Sequence, residues 1–158
     1  MKFWLGFVLV LATAMSVAAQ SFEYGKPSEL KGLKKVFVDT GGDMKNRERI
    51  LNEIEKANLG LELLDSADRA EVILNFQGGK EKQLSGVNST TDTYGNTHAT
   101  PAYRKITVGA GQVFVVKDQK LRVVLSFDDE EKTVFEKKPA TNFGKTFVKA
   151  YKKANDLK

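Results

Sequence analysis

The sequence predicts an α+β domain in which two helices pack on one face of a mixed, mostly antiparallel sheet, in the order β-α-β-β-β-β-β-α. Two segments carry apolar residues at helical spacing, and several short runs alternate between apolar and polar residues. The chain has 158 residues, a length that corresponds to one domain. It contains no cysteine and one histidine. Without cysteine, a disulfide scaffold, a zinc ribbon, an iron–sulfur cluster and a thiol nucleophile are all excluded.

Residues 1–19 are predicted to form a secretory signal peptide. One positive charge precedes the apolar run, and Val17 and Ala19 are the small residues expected at positions −3 and −1 of the cleavage site. The strongly apolar part is about 13 residues long, whereas a spanning helix needs about 20. We therefore expect a secreted or periplasmic chain that starts at Gln20 and spans no membrane after cleavage.

After cleavage, the sequence predicts a polar lead-in over residues 20–33 and a single α+β domain over residues 34–158. Asp43 is placed to cap a helix whose apolar residues recur at helical spacing. Gly60 is placed to end that helix. The predicted elements of this half are a strand at 34–39, a helix at 44–59, and strands at 61–65 and 71–76.

Residues 78–102 are rich in Gly, Ser, Thr, Asn, Gln and Lys. Their few large apolar groups predict a segment too polar to pack independently, and such a long loop is uncommon inside a compact domain. We interpret this segment as a mobile polar excursion. A long exposed hairpin is the alternative.

The sequence of the second half of the domain predicts a β-meander followed by a closing helix. Apolar residues alternate strictly from Leu121 to Phe127, as on one face of a strand. Pro139 then interrupts the chain, and a helix follows from Thr141 to about Asn155. The predicted strands are 103–108 with its continuation at 113–116, 121–127 and 133–136. The apolar stripe of the helix consists of Phe143, Phe147, Ala150, Tyr151 and Ala154.

Asp39, Thr40 and Gly41 form the Asp-Thr-Gly string found at the active site of aspartic proteases. That chemistry needs two carboxylates that share one proton, so a small chain would have to supply a second aspartate. A charged helix follows the string at once, where the protease pattern has a strand and flap. We therefore interpret these residues as a strand end and a turn, and we assign no catalytic residue.

Four consecutive carboxylates at 128–131 are predicted to form a solvated acidic turn. They lack the alternating oxygen ligands and the central glycine of a calcium-binding loop. With one histidine and no cysteine, the sequence predicts no metal site and no cofactor.

The candidate interaction surface is the basic side of the closing helix, which consists of Lys145, Lys149, Lys152 and Lys153. Its positive charge suits a partner protein or an anionic envelope polymer. Lysine lacks the bidentate fork of arginine, and no aromatic residue interleaves for base stacking, so we expect no nucleic-acid binding. A purely solvated helix face, with lysines favoured by the helix dipole, is the structural alternative.

The order of elements from residue 34 to residue 76 supports a family resemblance. Four segments follow one another in the order strand, helix, strand, strand. They are Val36-Phe37-Val38-Asp39, the helix at 44–59, Gly60-Leu61-Glu62-Leu63-Leu64-Asp65 and Ala70-Glu71-Val72-Ile73-Leu74-Asn75-Phe76. This pattern resembles the small α/β envelope domains of the curli-secretion, penicillin-binding-protein-activator and TolB N-terminal group. The resemblance implies a non-catalytic assembly or regulatory role in a bacterial envelope. Many members are lipoproteins, whereas this chain has no cysteine to acylate.

The sequence therefore predicts an exported, non-catalytic binding or envelope-accessory domain. A small secreted hydrolase that uses Asp39 is one alternative. A secreted inhibitor that binds through the segment 78–102 is another.

Overall fold

The architecture is a six-stranded sheet with two helices, given by a computed structural model that describes residues 23–95, 97–130 and 138–158. The strand order across the sheet is β1-β6-β5-β4-β2-β3. The elements are β1 Glu23–Tyr24, β2 Lys35–Asp39, α1 Met44–Lys56, β3 Glu62–Leu64, β4 Val72–Thr91, β5 Thr97–Lys117, β6 Lys120–Glu130 and α2 Pro139–Ala154. The predicted α+β class is confirmed. The predicted signal peptide 1–19 and the predicted strand 133–136 lie outside the described residues.

The sheet is mixed, as predicted. β2 runs parallel to both β3 and β4, with Val36 opposite Leu63 and Val72. The long pairs β4–β5 and β5–β6 are antiparallel. β1 adds a short parallel pair at the far edge, against β6. No described helix is long and apolar enough to cross a membrane.

Both helices and one face of the sheet share a single core. α1 contributes Ile50 and Ile54, and α2 contributes Phe143, Phe147 and Tyr151. The predicted capping residue Asp43 accepts a hydrogen bond from the Asn46 N–H at 3.0 Å, which satisfies one of the free donors of the first turn of α1. The strand residues in the same core are Val36, Val38, Val72, Leu74, Phe76, Val113, Val115 and Val124.

The polar lead-in is part of the domain, which differs from the predicted boundary at residue 34. Leu30 is fully buried in the core at the end of a short 3₁₀ helix, Pro27–Leu30. The Gly32 N–H donates to Asn155 Oδ1 at 2.8 Å, and Asn155 Nδ2 donates to the Leu30 carbonyl at 3.3 Å. Lys31 also forms a 3.2 Å ion pair with Asp156. These contacts join residues more than a hundred positions apart, so local periodicity in the sequence does not reveal them.

The segment 78–102 forms a long hairpin, the alternative to the predicted loop. β4 and β5 pair continuously from Val72 opposite Val115 to Thr91 opposite Thr97, with one irregularity between Leu84 and Gly86. The tip is closed by the Tyr94 N–H, which donates to Asp92 Oδ1 at 2.9 Å. Strand pairing satisfies backbone hydrogen bonds without an apolar core, which explains why a polar composition is compatible with strands here.

The part of this hairpin beyond the sheet, residues 80–91 and 97–107, is called the ribbon below. The pairing of β2 with β4 ends at Asn75, and the pairing of β5 with β6 ends at Val108. Within the described residues, the ribbon is therefore two strands wide.

Candidate functional site

The four lysines predicted as an interaction surface lie together in one groove between α1 and α2. Lys145, Lys149, Lys152 and Lys153 line it from α2, and Lys56 lines it from the last turn of α1. The groove has a volume of about 550 Å³. We call it the lysine groove.

The close packing of the two helices positions this groove. Gly144 of α2 faces α1, and a Cβ atom at that position would lie 3.2 Å from the Ile50 carbonyl oxygen and 3.1 Å from Glu53 Cβ. A side chain at position 144 would therefore push the helices apart. Because glycine lets the two helices pack closely, Lys56 lies on the same surface as the lysines of α2.

The charge in the groove is strongly positive. Glu53 is the one acidic residue in the lining, and it already pairs with Lys56 at 3.1 Å. Lys152 Nζ donates to the main-chain oxygen of Lys158 at 2.8 Å. Lys149 and Lys153 are exposed, and neither forms an ion pair with a described residue.

Apolar residues lie between these charges. Ala57 and Val148 are half-buried, and Leu157 is 47% exposed. The sequence alone does not indicate Leu157 and Lys56, because it is the packing of the two helices that brings them beside the α2 lysines. The groove therefore combines apolar side chains with a strong positive charge.

The Asp-Thr-Gly string has the geometry of a turn. Asp39 Oδ1 accepts from the Gly41 N–H at 3.0 Å, and Asp39 Oδ2 accepts from Asn75 Nδ2 at 3.2 Å. Thr40 Oγ1 donates to the Asp43 carbonyl at 2.8 Å, next to the start of α1. Of the described residues, no second carboxylate is hydrogen-bonded to Asp39. These residues therefore form the turn that connects β2 to α1.

A second groove, of about 720 Å³, lies along β4, β5 and β6. The exposed carboxylates of Glu81, Asp128 and Glu130 line it, together with small residues such as Gly79 and Ala110. We call it the acidic groove. The sequence predicts a turn at residues 128–131, whereas Asp128 and Glu130 lie within β6.

The neighbouring Asp129 differs from these carboxylates because it has a hydrogen-bond partner: Asn142 Nδ2 donates to its Oδ2 at 2.6 Å. Among the described residues, no group of three or more His, Cys, Asp or Glu side chains is arranged to hold a metal ion.

Comparisons with known proteins assign no function to this chain. No protein-family model matches it, and no curated protein matches it. Among solved structures, it is similar to a PDZ domain protein from Parabacteroides distasonis, with a TM-score of 0.43 and 12% sequence identity. The match covers 77% of this chain and 32% of that protein, so the chain spans about a third of that structure's length.

Proposed function

We propose that this chain is an exported, non-catalytic binding domain of a bacterial envelope, and that its lysine groove holds an acidic polypeptide segment. The observation that carries the proposal is the meeting of five lysines from two helices around one glutamate. A surface of one sign raises the local concentration of oppositely charged partners and speeds their association.

The apolar residues of the groove favour a polypeptide over a simple anionic polymer. Val148, Ala57 and Leu157 can contact aliphatic side chains, whereas a polyanion without apolar groups would leave them uncovered. A groove between two packed helices also suits a third helix that presents an apolar face flanked by carboxylates.

The proposal is tested with a fluorescein-labelled peptide that carries Glu and Leu at helical spacing. We expect the purified protein to bind this peptide, and the double variant Lys149→Glu/Lys153→Glu to bind at least about tenfold more weakly, a change of about 1.4 kcal/mol. Fluorescence anisotropy measures both affinities. Because both lysines are exposed, the variant should unfold at the same urea concentration as the natural chain.

The matched control is Lys45→Glu/Lys117→Glu, which changes the net charge equally at two exposed lysines outside the groove. Its affinity for the peptide should stay close to that of the natural chain. Equal losses in both double variants would show a general charge effect and overturn the site. Tighter binding of polyphosphate than of the peptide would identify an anionic polymer as the ligand instead.

A further inference from the structure

The acidic groove opens on the face of the sheet that the helices do not cover. A Cβ atom at Gly109 or Gly111 would meet Pro139 or Phe143 of α2, so these positions face the helices. The alternate positions Val108 and Ala110 must then face the other way. Their cross-strand neighbours are Glu130 and Asp128, whose side chains share that open face.

Three carboxylates of this groove form no ion pair within the described part of the chain. Asp128, Glu130 and Glu81 are exposed, and none of them forms an ion pair or a side-chain hydrogen bond there. Two residues apart on one face of a strand, Asp128 and Glu130 are separated by about 7 Å. Like charges at such positions repel each other, so a cationic partner would relieve the repulsion.

The spacing of cations on α2 matches the spacing of these carboxylates. Lys149 and Lys153 are four residues apart on the helix, which corresponds to a rise of about 6 Å. Both line the lysine groove, and both lack an ion pair with any described residue.

We propose that the acidic groove of one molecule receives the Lys149 and Lys153 side of α2 from a second copy of this chain. This inference rests on the proposed function, since it names the acidic polypeptide surface that the lysine groove takes. The two grooves occupy different faces of the molecule, so the contact is head to tail. Such a contact leaves one free groove at each end and permits open chains of molecules.

The test is sedimentation velocity of the purified protein over a range of concentrations. The weight-average mass of the natural chain should rise with concentration beyond that of a dimer. At about 0.1 M salt the screening length is about 10 Å, and at 1 M it is about 3 Å, so the same samples should return to monomers at high salt.

Two double variants separate the two surfaces. Lys149→Glu/Lys153→Glu removes the basic surface, and Asp128→Lys/Glu130→Lys removes the acidic one. Each should stay monomeric alone, because the two pairs of residues that would meet, 149 with 153 and 128 with 130, then carry charges of the same sign. An equimolar mixture of the two opposes an intact lysine groove to an intact acidic groove. The two reversed pairs are also opposite in sign, so the mixture should regain association and its mass should rise with concentration.

The matched control Lys45→Glu/Lys117→Glu should associate like the natural chain. A natural chain that is monomeric at every concentration would overturn the proposal. So would a mixture of the two folded variants that stays monomeric, or a closed dimer that both variants still form.

The outcome is separable from that of the proposed function. Asp128→Lys/Glu130→Lys retains its lysine groove and should bind the acidic peptide as the natural chain does. Peptide binding without self-association would reject the second copy and leave the proposed function standing. Absence of peptide binding by the natural chain would reject the proposed function itself.

Discussion

Gly109 and Gly111 determine how closely α2 approaches the sheet. A Cβ atom at Gly111 would lie 2.7 Å from Phe143 Cε2, and one at Gly109 would clash with Phe76 Cζ. The rings of Phe76 and Phe143 stack with their centroids 5.4 Å apart in the space that these glycines leave. The two glycines therefore leave the space on the sheet in which two aromatic rings of the core pack.

The substitution Gly111→Ala should destabilise the protein by about 1–3 kcal/mol, because the added methyl group overpacks the core. Gly79→Ala is the matched control, since its Cβ atom would meet Val108 Cγ2 at an ordinary 3.9 Å. Urea unfolding measures both. If the two variants unfold at the same urea concentration, Phe143 does not lie against residue 111 as described.

Glu71 links the stability of the sheet to pH. Its Oε2 accepts from the Lys34 and Lys35 N–H groups at 2.7 and 3.0 Å, and these hydrogen bonds lower the pKa of the carboxyl below its ordinary 4.5. A carboxyl group whose pKa is lower in the folded protein than in the unfolded chain stabilises the fold. This contribution is fully present above pH 4.5 and is lost as the pH falls through the pKa of the folded protein.

The substitution Glu71→Gln should therefore flatten the fall in stability at acid pH, because glutamine cannot be protonated there. Urea midpoints measured from neutral pH down to acid pH test this. Glu55→Gln, at an exposed position on α1, should retain the pH dependence of the natural chain. Parallel curves for the two variants would contradict the assignment to Glu71.

At the scale of elements, α2 has a buried side and a charged side with different roles. Phe147 is fully buried and lies 5.9 Å from Tyr151 between ring centroids. Phe147→Ala should cost about 3–5 kcal/mol of stability. Lys149→Glu on the same helix should leave the unfolding midpoint nearly unchanged, because the side chain is exposed. Thermal unfolding of both variants checks this, and two unchanged midpoints would mean that α2 is not docked on the sheet.

The ribbon should be cleaved first at its tip. Tyr94 is 90% exposed in the turn, whereas Lys80 and Lys82 lie within paired strands. Brief chymotrypsin treatment should cut at Tyr94 before trypsin cuts at either lysine, because a protease needs an unpaired segment. The two fragments should stay together through the sheet, as gel filtration would show. First cleavage at Lys80 would instead indicate that the ribbon strands separate readily.

The sequence predicts the helices and the inner strands well, because they bury a periodic apolar face. It fails for the ribbon, whose strands are held by backbone pairing and carry mostly polar side chains. It fails for the lead-in as well, because Leu30 is buried by α2 from the far end of the chain. Four lysines of the candidate site follow from the sequence, but Lys56 depends on helix packing and the acidic groove depends on strand register.

At the scale of the whole molecule, the net charge of +5 hides a separation of charge. Lysines collect between the two helices, and carboxylates collect on the open face of the sheet. Such a separation makes solubility and association depend on salt more strongly than the net charge indicates.

The predicted export has a direct measurement. The intact mass of the secreted or periplasmic form should match a chain that begins at Gln20, because Val17 and Ala19 satisfy the cleavage pattern. That form should also lack tryptophan fluorescence, since Trp4 is the only tryptophan and lies before the cleavage site. A full-length chain recovered from membranes would contradict the prediction.

The junction between the two ends of the domain has a consequence for the order of folding. β1 pairs with β6, and residues 30–32 are held by Asn155 and Asp156. Contacts between such distant residues form late, because the intervening chain must first be ordered. The contacts of residues 30–32 therefore form only after α2 has been synthesised and docked. A chain arrested before Asn155 lacks the side chain that bonds both the Gly32 N–H and the Leu30 carbonyl, so its first residues are held by β6 alone.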